Sequence, residues 1–457
     1  FSYRITKVPP GINGDEASIA YNPVLVAKTG RVEAGNRFPL FIPTGSDWKQ
    51  PVTFYSTVAA FKIFGPSYEV LRGVSIFFAL TSMVLLFFLA KELLGTSAGI
   101  VAMLLFLATP IILIQSHLAL ENIAPIPFVT FWLWMLIRFT KSKDRKFLVF
   151  AGMALGAGVF SYYGMRLIAP VLGLLTLFYL KKPRAIFAFI LGILPFLLIL
   201  SWANWHYPGA VLGNNRPFWT NSYQQFFLPY ISSFDPSFLF LKGDTTPYHS
   251  TGTTGMFLLA TLPLFILGLT LAIKEKASIY RFILAGFFLS PILYGLVGES
   301  YRASRLLAIV PFYILASTLG FSWILKLKNR LVKWALITGF AVLILGNYTN
   351  FAKDYWFYYP NRVKKEFSAP YQTVFESLKR YRDKNYKVFI QKEIWGGGDA
   401  LKFFREVYFP SSIGIWSKGE NLPGGAVLFA DYSFLTENEK KGLKVEGTQI
   451  QDYGLFI

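Results

Sequence analysis

The chain has 457 residues, 54% of them hydrophobic and 15% charged, with 45 Lys and Arg against 25 Asp and Glu for a net charge of +20; its mean hydropathy is +0.44. Those values exclude an ordinary soluble globular domain and identify a membrane protein. Nucleic acid is excluded as a partner, because the excess charge gathers in short loops between apolar segments and no basic helix or aromatic-basic platform occurs. Without cysteine there is neither a disulfide framework nor a thiolate metal site, and His117, His206 and His249 lack metal-motif spacing.

The first landmark is Pro9-Pro10-Gly11-Ile12-Asn13-Gly14-Asp15-Glu16. Pro-Pro-Gly and Asn-Gly form turns, and Ala17 to Ala27 is predicted as a short helix opened by Asp15 and Glu16. The two carboxylates have two readings. They are first-turn acids favoured by the helix dipole, or they work on a substrate, as a general base toward an acceptor hydroxyl or as ligands of a divalent cation. Being adjacent, they point differently, so one role for both is not expected. The chain begins Phe1-Ser2-Tyr3-Arg4, and nothing before Asp15 resembles a signal peptide, which reads either as a truncated N-terminus or as a start inside a longer protein, with an upstream transmembrane helix expected ahead of it.

Residues 18–66 are too interrupted by Pro, Gly and charge to span a bilayer and are predicted as a long surface loop with short helices. That loop contains Trp48-Lys49-Gln50-Pro51, where Lys49 fits either snorkelling beside lipid or a contact to a lipid phosphate. Apolar segments follow at roughly 70–93, 97–115, 122–139, 147–162, 165–180, 185–204, 253–273, 279–297, 303–325 and 331–350, which reads as about ten spans.

Basic residues recur in alternate short loops: Lys141, Lys143, Arg145 and Lys146; Lys181, Lys182 and Arg184; Lys274, Lys276 and Arg281; Lys326, Lys328, Arg330 and Lys333. Cytoplasmic loops hold Lys and Arg, so the opening loop 1–69, the turns around His117–Glu121, Tyr162–Met165 and Gly298–Tyr301, and the large loop 205–252 are predicted outside. An even number of spans places the C-terminal segment there too.

Sorted by side, the ionisable residues beside apolar spans gather outside, and such residues are candidate site groups by default. Glu121 and His117 lie in a very short turn between two good spans; His117 also fits a buried imidazole with one hydrogen bond. Tyr162, Tyr163 and Arg166 end one outer turn, and Glu299, Arg302 and Arg305 another. Guanidinium forks suit phosphate oxygens, although Arg and Tyr also anchor helices at interfaces. Arg302 and Arg305 share a helix face at i, i+3. His249 lies in the large loop, whose aromatic and amide content suits sugars and headgroups alike.

From about residue 351 the pattern turns polar and amphipathic. Helices at Ser368–Asp383 and Asp399–Tyr408 and strands at Tyr386–Gln391, Ala426–Ala430 and Ile450–Ile457 are predicted, giving a small α/β extracytoplasmic domain over 351–457 behind a transmembrane domain over 1–350. Gly396-Gly397-Gly398-Asp399 lacks a Walker lysine and reads as a turn and helix cap.

The motifs, taken in order, resemble a known family. Pro9 to Ala17, Thr29 to Asn36 with Phe38-Pro39, Lys49-Gln50-Pro51 leading to Tyr55, Ser116 to Asn122, Tyr162 to Arg166, Gly252 to Gly268 with Pro263, Tyr301 to Leu306 with Pro311, and Asp354 to Pro360 resemble bacterial members of glycosyltransferase family 39. The wider group holds the protein O-mannosyltransferases and aminoarabinose transferases, polytopic helical membrane enzymes of the GT-C class. The resemblance runs from Val8 to about Pro360. Departures are His117 where arginine is common, Val32 where Asp is common, and Lys49-Gln50-Pro51 where Lys-Pro-Pro is common.

What the resemblance implies is inverting transfer of a sugar from a polyprenyl-phosphate carrier to a protein, lipid or glycan acceptor at the outer face of a bacterial plasma membrane. Asp15 then matches the acid of the first outer loop, as base or acceptor-orienting group, with Glu16 beside it, and Glu121 the acid of the second. Lys49, Arg166 and Arg302 or Arg305 hold the donor phosphate as leaving group; His117, Tyr162, Tyr163 and His249 remain as substrate contacts. No cofactor is implied beyond an optional divalent cation. The rivals are a transporter or flippase of lipid-linked sugars, against which the one-sided charges and absent internal repeat count, and a GT-C ligase or polymerase.

Overall fold

The computed structural model describes residues 1–44, 47–211, 222–275, 277–367, 369–395, 398–409, 413–431, 435–436, 445–450 and 453–456. It divides into two units. The first comprises Phe1–Tyr3, Pro39–Ser56 and Arg72–Tyr359, and the second Arg4–Phe38, Thr57–Leu71 and Pro360–Ile457.

Among the described residues, six helices are long and apolar enough to cross a membrane: Tyr68–Leu94, Glu121–Ser142, Pro183–His206, Ser278–Val297, Leu307–Leu325 and Arg330–Arg362. Thr96–Leu107 and Pro110–Ser116 make a seventh if counted together, bent by 63°. The bend falls where Pro110 removes a helix donor and pushes Thr109 out of the helical region. Lys146–Gly158, Met165–Tyr179 and Leu259–Lys274 are apolar but shorter, 10–17 residues, and at 1.5 Å per residue fall short of a core of about 30 Å. The expected figure of about ten spans had counted these segments too.

Proline starts many of these helices. Pro110, Pro125, Pro183, Pro263 and Pro311 occupy first-turn positions, where the missing N–H costs nothing and φ is already helical. Glycine sets how closely neighbours approach. A Cβ at Gly152 or Gly192 would lie 2.2 Å from the Phe189 carbonyl oxygen or 2.1 Å from that of Val149. This close pair joins helices Lys146–Gly158 and Pro183–His206. Gly268 and Gly320 join Leu262–Lys274 to Val310–Leu325 in the same way, with 1.7 Å to the Ala316 oxygen and 2.1 Å to the Leu264 oxygen. Small residues at crossings are how membrane helices gain contact where lipid supplies no hydrophobic drive. The apolar side chains of Leu331, Trp334, Val342, Leu343 and Leu345 are exposed, a surface suited to lipid tails rather than water.

In the second unit the opening segment forms helix Gly14–Thr29, closed by Gly30 at φ 72°, longer at both ends than the predicted Ala17–Ala27. A five-stranded sheet has the order Gly414–Trp416, Lys387–Gln391, Ala426–Asp431, Tyr453–Phe456, Val445–Ile450. The first three strands are parallel, the remaining pairings antiparallel. Ala369–Asp383 packs beside Asp399–Tyr408, with the Phe375 and Phe404 rings 6.1 Å apart. The predicted helices and inner strands are thus present, while the short strand Gly414–Trp416 and the strand Val445–Ile450 were not foreseen. Ser368 of the first predicted tail helix, Gly396 and Gly397 of the proposed cap, and residues 451, 452 and 457 of the last predicted strand lie outside the described residues.

Candidate active site

In the first unit, a hairpin of Ile42–Thr44 and Asp47–Lys49 pairs Ile42 with Lys49. It delivers Lys49 and Gln50 to the start of helix Pro51–Phe64. Lys49 is 8% exposed and Gln50 fully buried. The Gln50 main-chain N–H donates to the Glu121 carboxylate, which is itself buried. Glu121 feels the positive charges of Lys49 and Arg166 and the negative charge of Asp47. An acid taken from water in this way needs such compensation.

Arg166, at the start of helix Met165–Tyr179, links the remaining pieces. Its guanidinium donates to the carbonyls of Ala210 and Val211, the latter at 2.8 Å, and to the Gln50 side-chain oxygen. It also stacks over the Phe41 and Tyr163 rings at 4.9 Å each, while its Nε is buried without a partner among the described residues. Lys49, Gln50, Glu121 and Arg166 therefore form one polar cluster, of which sequence reasoning singled out all but Gln50. The signal for Gln50 was its place between Lys49 and Pro51: Pro51 brings no N–H to the helix start, so Gln50 supplies the donor for Glu121. Beside the cluster, Tyr55 donates to the Pro39 carbonyl at 2.6 Å. Burial, with Tyr207 nearby, pushes its phenol up to about 12, which keeps it a donor.

The turn Glu121–Ile123 packs against the turn Ala303–Arg305, so the second expected arginine group is close to the cluster. Both of its cations are turned to an acid: Arg305 pairs with Glu299 at 2.9 Å and Arg302 Nε lies 3.9 Å from the same carboxylate. That backbone is held by Asp244, which accepts from the Ala303 N–H at 2.5 Å and from Thr246 at 2.7 Å, and by Tyr294, whose hydroxyl donates to the Arg302 carbonyl. Sequence reasoning missed both; the Asp244-x-Thr246 spacing is a side-chain turn signal that could have found the first.

The other expected contacts are distributed. His117 is fully buried, with Nε2 bonded to the Phe1 carbonyl and its ring 5.0 Å from that of Trp356. His249 Nδ1 meets the Gln115 side-chain amide at 2.8 Å. Tyr163 lies under Arg166, and Tyr162 packs on Gly164.

Asp15 and Glu16 belong to the second unit. Glu16 is fully buried and completes a capping box: its N–H donates to the Asn13 side chain at 2.8 Å, and its carboxylate accepts the Asn13 N–H at 3.2 Å. Asp15 is exposed, and its side chain has no hydrogen bond or ion pair among the described residues. The preceding turn is fixed by Tyr68, which donates to the Gly11 carbonyl, and by Gln372, which accepts the Gly11 N–H at 3.0 Å. Among the described residues, no group of three or more His, Asp or Glu is placed to hold a metal ion.

Residues 48–205 match the model of the dolichyl-phosphate-mannose-protein mannosyltransferase family, a stretch that contains Lys49, Gln50, Glu121 and Arg166. No curated protein sequence matches the chain. Among solved structures, ArnT from Cupriavidus metallidurans bound to undecaprenyl phosphate is similar with a TM-score of 0.60 at 12% identity, covering 100% of this chain and 95% of that one. Its apo state gives 0.60 at 11%, with the same coverage. The oligosaccharyltransferase of Archaeoglobus fulgidus in complex with Zn and sulfate gives 0.50 at 11%, covering 87% of this chain and 58% of that one. At such identities the likeness speaks for the fold. In its fold, and over residues 48–205 in its sequence, the chain resembles the GT-C class of membrane glycosyltransferases to which the motif order pointed.

Proposed function

We propose that this protein is an inverting glycosyltransferase that moves a sugar from a polyprenyl-phosphate carrier to an acceptor at the extracytoplasmic face of the plasma membrane. The observation that carries this reading is the buried cluster in which Lys49 and Arg166 flank Glu121, inside the stretch that matches the mannosyltransferase family. The undecaprenyl phosphate bound by ArnT supports a carrier of that type for this chain.

In the reaction, an acceptor hydroxyl oxygen bonds to the anomeric carbon from the face opposite the carrier. The carbon–oxygen bond to phosphate breaks, the electron pair leaves with the polyprenyl phosphate, and the hydroxyl proton passes to a carboxylate. The motif order assigns that carboxylate to Asp15, whose exposed side chain is uncommitted among the described residues. Lys49 stabilises the phosphate as it leaves, the point at which a fixed cation lowers the barrier. Glu121 and Arg166 act as positioning residues that hold the Lys49–Gln50 segment in place. Arg302 and Arg305 reach a phosphate by exchanging Glu299 for it. The four basic loops on one side support a cytoplasmic assignment for them, with Glu121 and Arg166 at the opposite ends of their helices and the segment 351–457 outside as a small α/β domain.

The test is transfer of labelled sugar from a panel of polyprenyl-phosphate sugars to a membrane extract by the purified chain, with and without chelator. Sugar that crosses sealed vesicles without a covalent product would point instead to a flippase, and transfer of whole oligosaccharide blocks to a ligase.

A further inference from the structure

A cavity lies at the far ends of the helices that carry the candidate site. Its volume is about 810 Å³, and it opens between helices Pro125–Ser142, Met165–Tyr179, Pro183–His206 and Ser278–Leu289. Six cations line it: Lys143, Arg145, Lys181, Lys182, Arg184 and Arg281. No carboxylate is among the lining residues, and none of the six forms an ion pair among the described residues. The nearest acid in sequence, Asp144, pairs with Lys146 at 2.9 Å and also feels the charge of Arg145. Apolar and aromatic side chains also line it, Phe139, Leu175, Phe178 and Phe282, with Phe178 83% exposed. The Thr140 and Tyr179 hydroxyls, also in the lining, lie 3.2 Å apart. Glu121 precedes helix Pro125–Ser142, whose 18 residues span about 27 Å. The cavity is therefore at the opposite end of that helix from Glu121.

Six cations gathered from three separate segments around one recess do more than set orientation. A basic pocket between apolar helices, lined by apolar side chains as well as cations, matches an amphiphile with an anionic head. We propose that this cavity binds the phosphate headgroup of an anionic membrane lipid. Lys182, Arg184 and Arg281 hold the phosphate oxygens, the Thr140–Tyr179 pair faces the ester region, and an acyl chain runs along Leu175 and Phe178. The site is separate from the donor site proposed above and takes lipid from the other leaflet.

Native mass spectrometry of the full chain, released from vesicles of equal phosphatidylglycerol and phosphatidylcholine, tests this. The wild type is expected to retain phosphatidylglycerol about tenfold over phosphatidylcholine. Lys182→Gln/Arg184→Gln/Arg281→Gln should lose that preference. Lys326→Gln/Lys328→Gln/Arg330→Gln, which removes as many charges from a loop that does not line the cavity, should keep it. Equal loss in both variants would overturn the proposal in favour of general surface charge. Displacement of the lipid by millimolar inorganic phosphate would overturn it in favour of a free-phosphate site. Should the triple variant not fold, Arg281→Gln alone is expected to lower the ratio several-fold, and an unchanged ratio would equally contradict the proposal.

Discussion

The main-chain N–H of Gln50 donates to the carboxylate of Glu121, joining positions 71 residues apart in the chain. The bond ties the hairpin that carries Lys49 to the turn before helix Pro125–Ser142, and both partners are buried. Glu121→Gln keeps an acceptor for that N–H and removes the charge, whereas Glu121→Ala leaves a buried donor unpaired, at a cost of about 1–3 kcal/mol. The expected outcome is a folded, transfer-deficient Gln variant and an Ala variant that is also less stable. Transfer assays and thermal unfolding of the purified proteins distinguish the two effects.

Arg166 serves two carbonyls and one amide oxygen at once. Lysine offers a point charge on a flexible stem and cannot reproduce the planar fork. Arg166→Lys is therefore expected to lose about 1–3 kcal/mol of stability despite its unchanged charge. A melting temperature equal to that of the wild type would show that charge alone is required.

Glu299 holds Arg305 at 2.9 Å with its side chain 43% exposed. Pairs this open are worth under about 1 kcal/mol. Glu299→Gln should thus leave stability nearly unchanged while releasing both arginines, and donor KM is expected to fall. Arg305→Gln should raise donor KM with little change in unfolding.

At the helix crossings, Gly268→Ala would put a Cβ 1.7 Å from the Ala316 oxygen. The helices Leu262–Lys274 and Val310–Leu325 must then part, at a cost of about 1–3 kcal/mol. Gly339→Ala and Gly346→Ala, which meet nothing within 4 Å, are the controls expected to unfold as the wild type does.

Much of the fold was legible because long apolar runs have few alternatives to helix. The tail helices were visible for the same kind of reason, since Asp399–Tyr408 places Leu401, Phe403 and Phe404 inside. The strand Gly414–Trp416 was missed because 3 residues are too few to show a period. Span number was less legible, since composition marks Lys146–Gly158 as apolar without revealing that the helix stops at 13 residues. The candidate site was half visible. Residue type flagged Lys49, Glu121 and Arg166, but the bond that organises them uses a backbone N–H, which carries no sequence signature. The roles of Arg302 and Arg305 were blurred by Glu299, whose pairing depends on a turn geometry that spacing alone does not give. In the opening motif, Glu16 resolves into a capping residue while Asp15 stays exposed, a separation that adjacency in sequence could only suggest.

Sugar transfer by this protein is proposed to depend on Asp15 and on Lys49. Its most direct test is incubation of the purified chain with labelled polyprenyl-phosphate sugar and a membrane extract as acceptor, comparing wild type with Asp15→Asn and Lys49→Gln. The expected result is covalent labelling of an acceptor with stoichiometric release of polyprenyl phosphate, falling about 100-fold or more in Asp15→Asn and similarly in Lys49→Gln. Full transfer by Asp15→Asn with a donor the wild type accepts would contradict it.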